Sequence, residues 1–127
     1  MSYLLCLLLL IGASEAWMNG GPWLVGSTAQ ETTALDQANI HKAAVIQAYV
    51  TKNETAIDAL LNRHGLYLPL YLLHDLNLLV ARIRNYNENY AFGKYNGNMY
   101  LMHLDRKDTS STGWYMSRLI ECEKNIC

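Results

Sequence analysis

The chain has 127 residues, 51 % of them hydrophobic, with 10 Lys and Arg set against 11 Asp and Glu for a formal net charge of −1. That balance excludes the basic field with which a nucleic-acid binder displaces counterions from phosphate, and no cluster of Lys and Arg offers itself to anionic lipid. The length fits one domain with a core of its own, burying roughly two-thirds of the surface that its unfolded chain exposes.

Residues 1–16 read as a secretory signal peptide. Leu4 to Ile11 is a short apolar block broken only by Cys6, and Gly12, Ala13, Ser14 and Ala16 follow, with the small Ser14 and Ala16 at the −3 and −1 positions of a cleavage site. No Lys or Arg precedes the block, so the amino terminus alone supplies positive charge. The block is too short to span a bilayer, and no later stretch reaches the ~20 uncharged apolar residues a span needs. The expectation is a single secreted domain over 17–127. Loss of Glu15 with the leader brings the formal net charge to zero.

Trp17 to Gly26 is turn-rich, because Gly20, Gly21 and Pro22 are incompatible with a helix. Its two Trp need a surface to cover, either the domain's own core or a partner's groove. A helix begins near Ser27 or Thr28, where Ser27 with Gln30 and Thr28 with Glu31 both fit the capping-box spacing. Leu35, Ala38, Val45, Ile46 and Tyr49 then share one face, with Lys42 snorkelling at its edge. Thr51 with Glu54 opens a second, shorter helix through Ile57, Leu60 and Leu61, stopping at Arg63-His64-Gly65. Asn53-Glu54-Thr55 is a glycosylation sequon that export would make usable at Asn53.

Leu66 to Tyr86 supports two readings. Leu72, Leu76, Leu79, Ile83 and Tyr86 recur at helical spacing, and Pro69 suits a first helical turn; yet Leu78, Val80, Arg82 and Arg84 alternate with Leu79, Ala81, Ile83 and Asn85 as a strand does. The sheet that follows needs neighbours, which favours a helix or loop to about Asp75 and then a strand. From Tyr90 onward the pattern is β. Asn96-Gly97 is a hairpin signal between Tyr90–Tyr95 and Met99–Lys107, Asn87-Glu88-Asn89 makes an earlier turn, and the polar Asp108–Gly113 precedes a last strand, Trp114–Glu121. The fold class is therefore α+β, N-terminal helices packed on an antiparallel sheet. The alternative is a mainly helical domain with a C-terminal hairpin. Without Cys6, the mature chain keeps Cys122 and Cys127, expected to pair with each other in an oxidising compartment, with a short closed loop worth on the order of 2 kcal/mol; the alternative is a bridge from one or both to another chain.

The chemistry-bearing residues form no catalytic pattern. The 4 histidines lack metal-ligand spacing, and His74-Asp75 is ordinary turn chemistry. Ser110 and Ser111 are turn formers, and there is neither a Gly-x-Ser-x-Gly elbow, a thiol with a partner His, nor a glycine-rich phosphate loop. Neither catalysis, a metal nor a cofactor is expected. Tyr86, Tyr90, Tyr95, Tyr100 and Tyr115 make the sheet Tyr-rich, either as a recognition face or as alternating core and surface positions.

The order of these elements resembles the cystatin family: a glycine-bearing arm, a long helix, and an antiparallel sheet wrapped around it. Gly20-Gly21 precedes the helix, Tyr100-Leu101-Met102-His103-Leu104 is similar to a strand of the intracellular members, and Gly113-Trp114 stands where secreted members often carry Pro-Trp. The family's Gln-x-Val-x-Gly loop is absent, with only Asn89-Tyr90-Ala91-Phe92-Gly93 near it, and so is the secreted members' two-disulfide pattern. The resemblance implies inhibition of papain-like cysteine proteases by a wedge of three elements. Here these would be Gly20 or Gly21, the turn around Asn87, Glu88 and Asn89, and Trp114. The function expected is that of a secreted, non-catalytic binding protein. Its alternatives are a non-inhibitory surface-active or structural protein and a carrier whose Leu-rich segment lines an apolar cavity.

Overall fold

The computed structural model describes residues 28–65, 69–124 and 126–127. The expected leader 1–16, the arm with Gly20 and Gly21, and Ser27 lie outside the described residues. Helix α1 (Thr28–Val50) is followed by the short helices α2 (Glu54–Leu60) and α3 (Leu70–Asp75), then by strands β1 (Asn77–Arg84), β2 (Glu88–Tyr95), β3 (Asn98–Arg106) and β4 (Trp114–Glu121). The strands form one antiparallel sheet in the order β1-β2-β3-β4. The α+β class thus holds and the mainly helical alternative does not, because Asn77–Arg84 is a strand. Among the described residues, no helix is long and apolar enough to cross a membrane.

Ala34, Ala38, His41, Val45 and Ala48 make the buried stripe of α1, at the 4, 3, 4, 3 spacing of one helical face. Leu35, Ile46 and Tyr49 are only half buried at its margin. The Ala positions let the helix lie close on the sheet. Lys42 reaches along this surface and donates from Nζ to the Leu76 carbonyl at 2.6 Å. The second helix starts differently from the Thr51 expectation. Asn53 is the N-cap, its Oδ1 accepting from Ala56 N at 3.1 Å, while the Thr51 hydroxyl turns back to the Gln47 carbonyl at 2.9 Å. α2 also ends at Leu60, before Arg63. Leu61 bridges to Met116 and Asn62 N donates to the Met116 carbonyl, so β4 draws the chain out of helical geometry.

The sheet face toward α1 carries Leu78, Ala81, Ala91, Met102, Leu104, Trp114 and Met116, and these close the main core with Ile57, Leu60, Leu61, Leu73 and Leu76. Phe92, Met99 and Cys122, with Val80, Tyr90 and Leu101, cluster separately on the opposite face. Asn96 and Gly97 have φ of 55° and 84°, the two positive values of a type I′ turn, as the Asn-Gly dipeptide demands. Cys122 and Cys127 are paired, Cα to Cα 4.7 Å, across a sequence separation of 5. Gly93 permits close approach of β1: a Cβ there meets the Asn77 carbonyl oxygen at 2.7 Å, backbone that cannot swing aside. Gly93→Ala is therefore expected to destabilise the domain by about 1–3 kcal/mol, read from the midpoint of denaturant unfolding.

Candidate functional site

The β1–β2 turn is Asn85-Tyr86-Asn87, two residues earlier than the sequence pattern indicates, so Glu88 and Asn89 already belong to β2. Asn85 and Tyr86 both have positive φ, 51° and 66°. Asn tolerates that conformation through its short polar side chain, whereas for a Tyr it costs roughly 1 kcal/mol and persists only where neighbours enforce it. Here the enforcing group is Arg106, the last residue of β3. Its backbone N–H donates to the Asn87 carbonyl at 2.7 Å, and its Nε and Nη2 both donate to the Tyr86 carbonyl at 3.0 and 2.9 Å. The guanidinium lies 4.0 Å from the centroid of the Tyr86 ring and 4.0 Å from that of the Trp114 ring, a cation held between two π faces.

The β3–β4 loop beside this turn is braced from within. Lys107 N donates to the Gly113 carbonyl, Ser110 Oγ to the Trp114 carbonyl at 2.8 Å, and Trp114 N to Thr112 Oγ1 at 3.2 Å. From below it is held by His41 of α1, which is fully buried. His41 Nε2 lies 3.0 Å from the Leu60 carbonyl, which can only accept, so Nε2 carries the proton; Nδ1 then accepts from the Thr112 hydroxyl at 2.6 Å. Burial drives the His41 pKa down to about 4, against a smaller opposite effect of the Leu60 carbonyl, and the ring is neutral at pH 7. One histidine thus ties α1, the end of α2 and the β3–β4 loop together.

The N-terminal half of α1 reaches the same end of the sheet: Asn89 Nδ2 donates to the Ala34 carbonyl at 3.0 Å and Trp114 Nε1 to Gln37 Oε1 at 2.8 Å. Two hairpin connections and the first turns of the long helix therefore converge on one edge. Tyr86, 66 % exposed, is the large apolar side chain that stands out from it.

Of the residues singled out from the sequence, Asn87 lies exposed in the β1–β2 turn. Glu88 is half-buried, its Oε1 accepting from the Tyr90 hydroxyl at 2.9 Å. Asn89 and Trp114 are placed otherwise than a protruding wedge requires, because both are fully buried under α1. Positive φ at Gly113, 83°, redirects the loop so that Trp114 enters β4 facing the helix. Asn53 is exposed as the cap of α2, and Gly20 and Gly21 fall outside the described residues. Tyr86, Arg106 and His41 have no part in the sequence-based wedge. Arg106 and Tyr86 meet only through strand register, while His41 was detectable at position i+3 of the Ala38 face. The chain matches no family, no curated protein and no solved structure with which it was compared.

Proposed function

We propose that this chain is a secreted, non-catalytic binding protein that engages its partner with the edge formed by the β1–β2 turn and the β3–β4 loop, and that the partner is a papain-like cysteine protease. The observation that carries the reading is the Arg106 clamp, which holds two turns side by side and presents Tyr86 beyond them. Tyr supplies area and a polar tip with few rotamers to freeze, which suits an anchor. In the cystatin resemblance read from the sequence, arm, first hairpin and second hairpin act together, and this proposal puts Tyr86 in place of Trp114 as the aromatic group.

The test is inhibition of papain by the folded protein. Stoichiometric inhibition is expected, and Tyr86→Ala should weaken it by about 2 kcal/mol, roughly thirty-fold. Papain left fully active by a molar excess of folded protein would remove the protease from the proposal. Burial of Trp114 and Asn89 favours a second reading, a non-inhibitory secreted protein on the same scaffold. That reading gains if papain is untouched while the protein adsorbs strongly at an air–water interface.

A further inference from the structure

Glu88, His103 and Asp105 come together on the sheet face away from α1. The β2–β3 register sets Glu88 directly opposite Asp105 and Tyr90 opposite His103. Like charges directly opposite one another destabilise a sheet. His103 is 8 % exposed, and its Nε2 is buried without a hydrogen-bond partner, an arrangement that costs free energy unless something else meets the nitrogen. That nitrogen is aimed between the carboxylates, 3.3 Å from Asp105 Oδ1 and 3.9 Å from Glu88 Oε2, and the three ligand atoms all lie within 4.8 Å of one another. A tetrahedral ion with bonds of about 2.1 Å holds its ligand atoms roughly 3.4 Å apart, so a small contraction would complete three corners of a coordination shell.

We propose that Glu88, His103 and Asp105 form a binding site for a divalent transition-metal cation such as Zn²⁺. One imidazole with two carboxylates suits such an ion, whereas Ca²⁺ and Mg²⁺ take all-oxygen shells with more ligands. The surrounding groups orient the ligands. The Tyr90 hydroxyl donates to Glu88 Oε1 at 2.9 Å and leaves Oε2 for the ion. Metal at Nε2 places the ring proton on Nδ1, where Ser117 Oγ accepts it at 3.3 Å while donating to the His103 carbonyl at 3.3 Å. Arg118 Nε, now 3.4 Å from Nδ1, must give up that contact, and its side chain is exposed and free to turn outward.

The charged groups around His103 are Glu88 of β2, Asp105 of β3 and Arg118 of β4, with Arg84 of β1 stacked on Tyr90, ring centroid at 5.6 Å. Burial and Arg118 hold the imidazole below its ordinary value against the pull of the two carboxylates. Three protein ligands leave the fourth position to water or to an atom of a partner.

Calorimetric titration of the chelator-treated, folded protein with zinc chloride at pH 7 tests the site. The expected result is one saturable site at 1:1, a rise in Tm with zinc, and weaker binding at pH 5 where protons compete. His103→Gln and Asp105→Asn should each lose at least about ten-fold in zinc affinity. Without metal, Asp105→Asn should keep or raise Tm, because it removes one of two facing carboxylates, and this verifies that the variant is folded. Absence of saturable heat would overturn the proposal. So would undiminished affinity in both variants, which would place zinc elsewhere, such as on the exposed His74–Asp75 pair, and so would equal affinity for calcium chloride.

Discussion

Trp114→Ala is expected to lower the free energy of unfolding by about 3–5 kcal/mol. The ring is fully buried in the main core between α1 and the sheet, so its removal leaves a cavity that two rigid elements cannot close. It also takes the Nε1 donor from Gln37 and one π face from Arg106. Trp114→Phe, which keeps most of the area but not the donor, should cost only about 1–2 kcal/mol. The measurement is the urea midpoint at constant m-value. A loss below about 1 kcal/mol for the Ala variant would mean that the side chain is on the surface, and would return Trp114 to the proposed recognition edge. Because Trp114 also backs Arg106, the Ala variant should loosen the β1–β2 turn, so its binding defects are to be compared with those of Tyr86→Ala in protein verified as folded.

The second large effect is acid lability. His41 is held at a pKa of about 4 in the folded protein against 6.5 for the ordinary group, so between those values the unfolded chain binds the proton and the folded one does not. Stability from this histidine is therefore complete above pH 6.5 and lost progressively as pH falls to about 4, by about 3 kcal/mol in all. His103, also depressed by burial, acts in the same direction. Thermal unfolding between pH 4 and pH 7 should show Tm falling through this window. His41→Gln should be less stable at pH 7, since Thr112 and the Leu60 carbonyl lose their partner, yet have a shallower slope with pH. An unchanged slope would assign the lability to other groups.

What could be read from the chain and what could not follow from the range of each interaction. The Asn96-Gly97 turn was legible because two consecutive positive φ values leave few residue choices. Helix α1 was legible by its period, although counting only apolar residues passed over His41, a polar member of the same buried stripe. β1 was ambiguous for a specific reason. A bulge between Leu78 and Val80 inserts a residue, so the inward positions Leu78, Ala81 and Ile83 fall three and two apart and blur the alternation of a strand. The candidate edge was legible only as turn chemistry. That Arg106 would clamp Tyr86, twenty residues away, depends on how β2 registers against β3 and β1. The same register decides that Glu88 faces Asp105. Whether an aromatic residue after Gly113 turns inward or outward is settled by the helix beneath it, which the local sequence does not contain.

The strand order also implies how the molecule assembles. Each strand pairs with its neighbour in sequence, through connections of only a few residues, so the sheet can grow by successive hairpin closures of low entropic cost. The Asn96-Gly97 hairpin is the shortest of these and closes the smallest loop. α1, by contrast, meets the sheet across long stretches of chain, from Ala34 to Asn89 and from Gln37 to Trp114. Its docking brings distant parts of the chain together, and such long-range contacts raise the contact order with which folding slows.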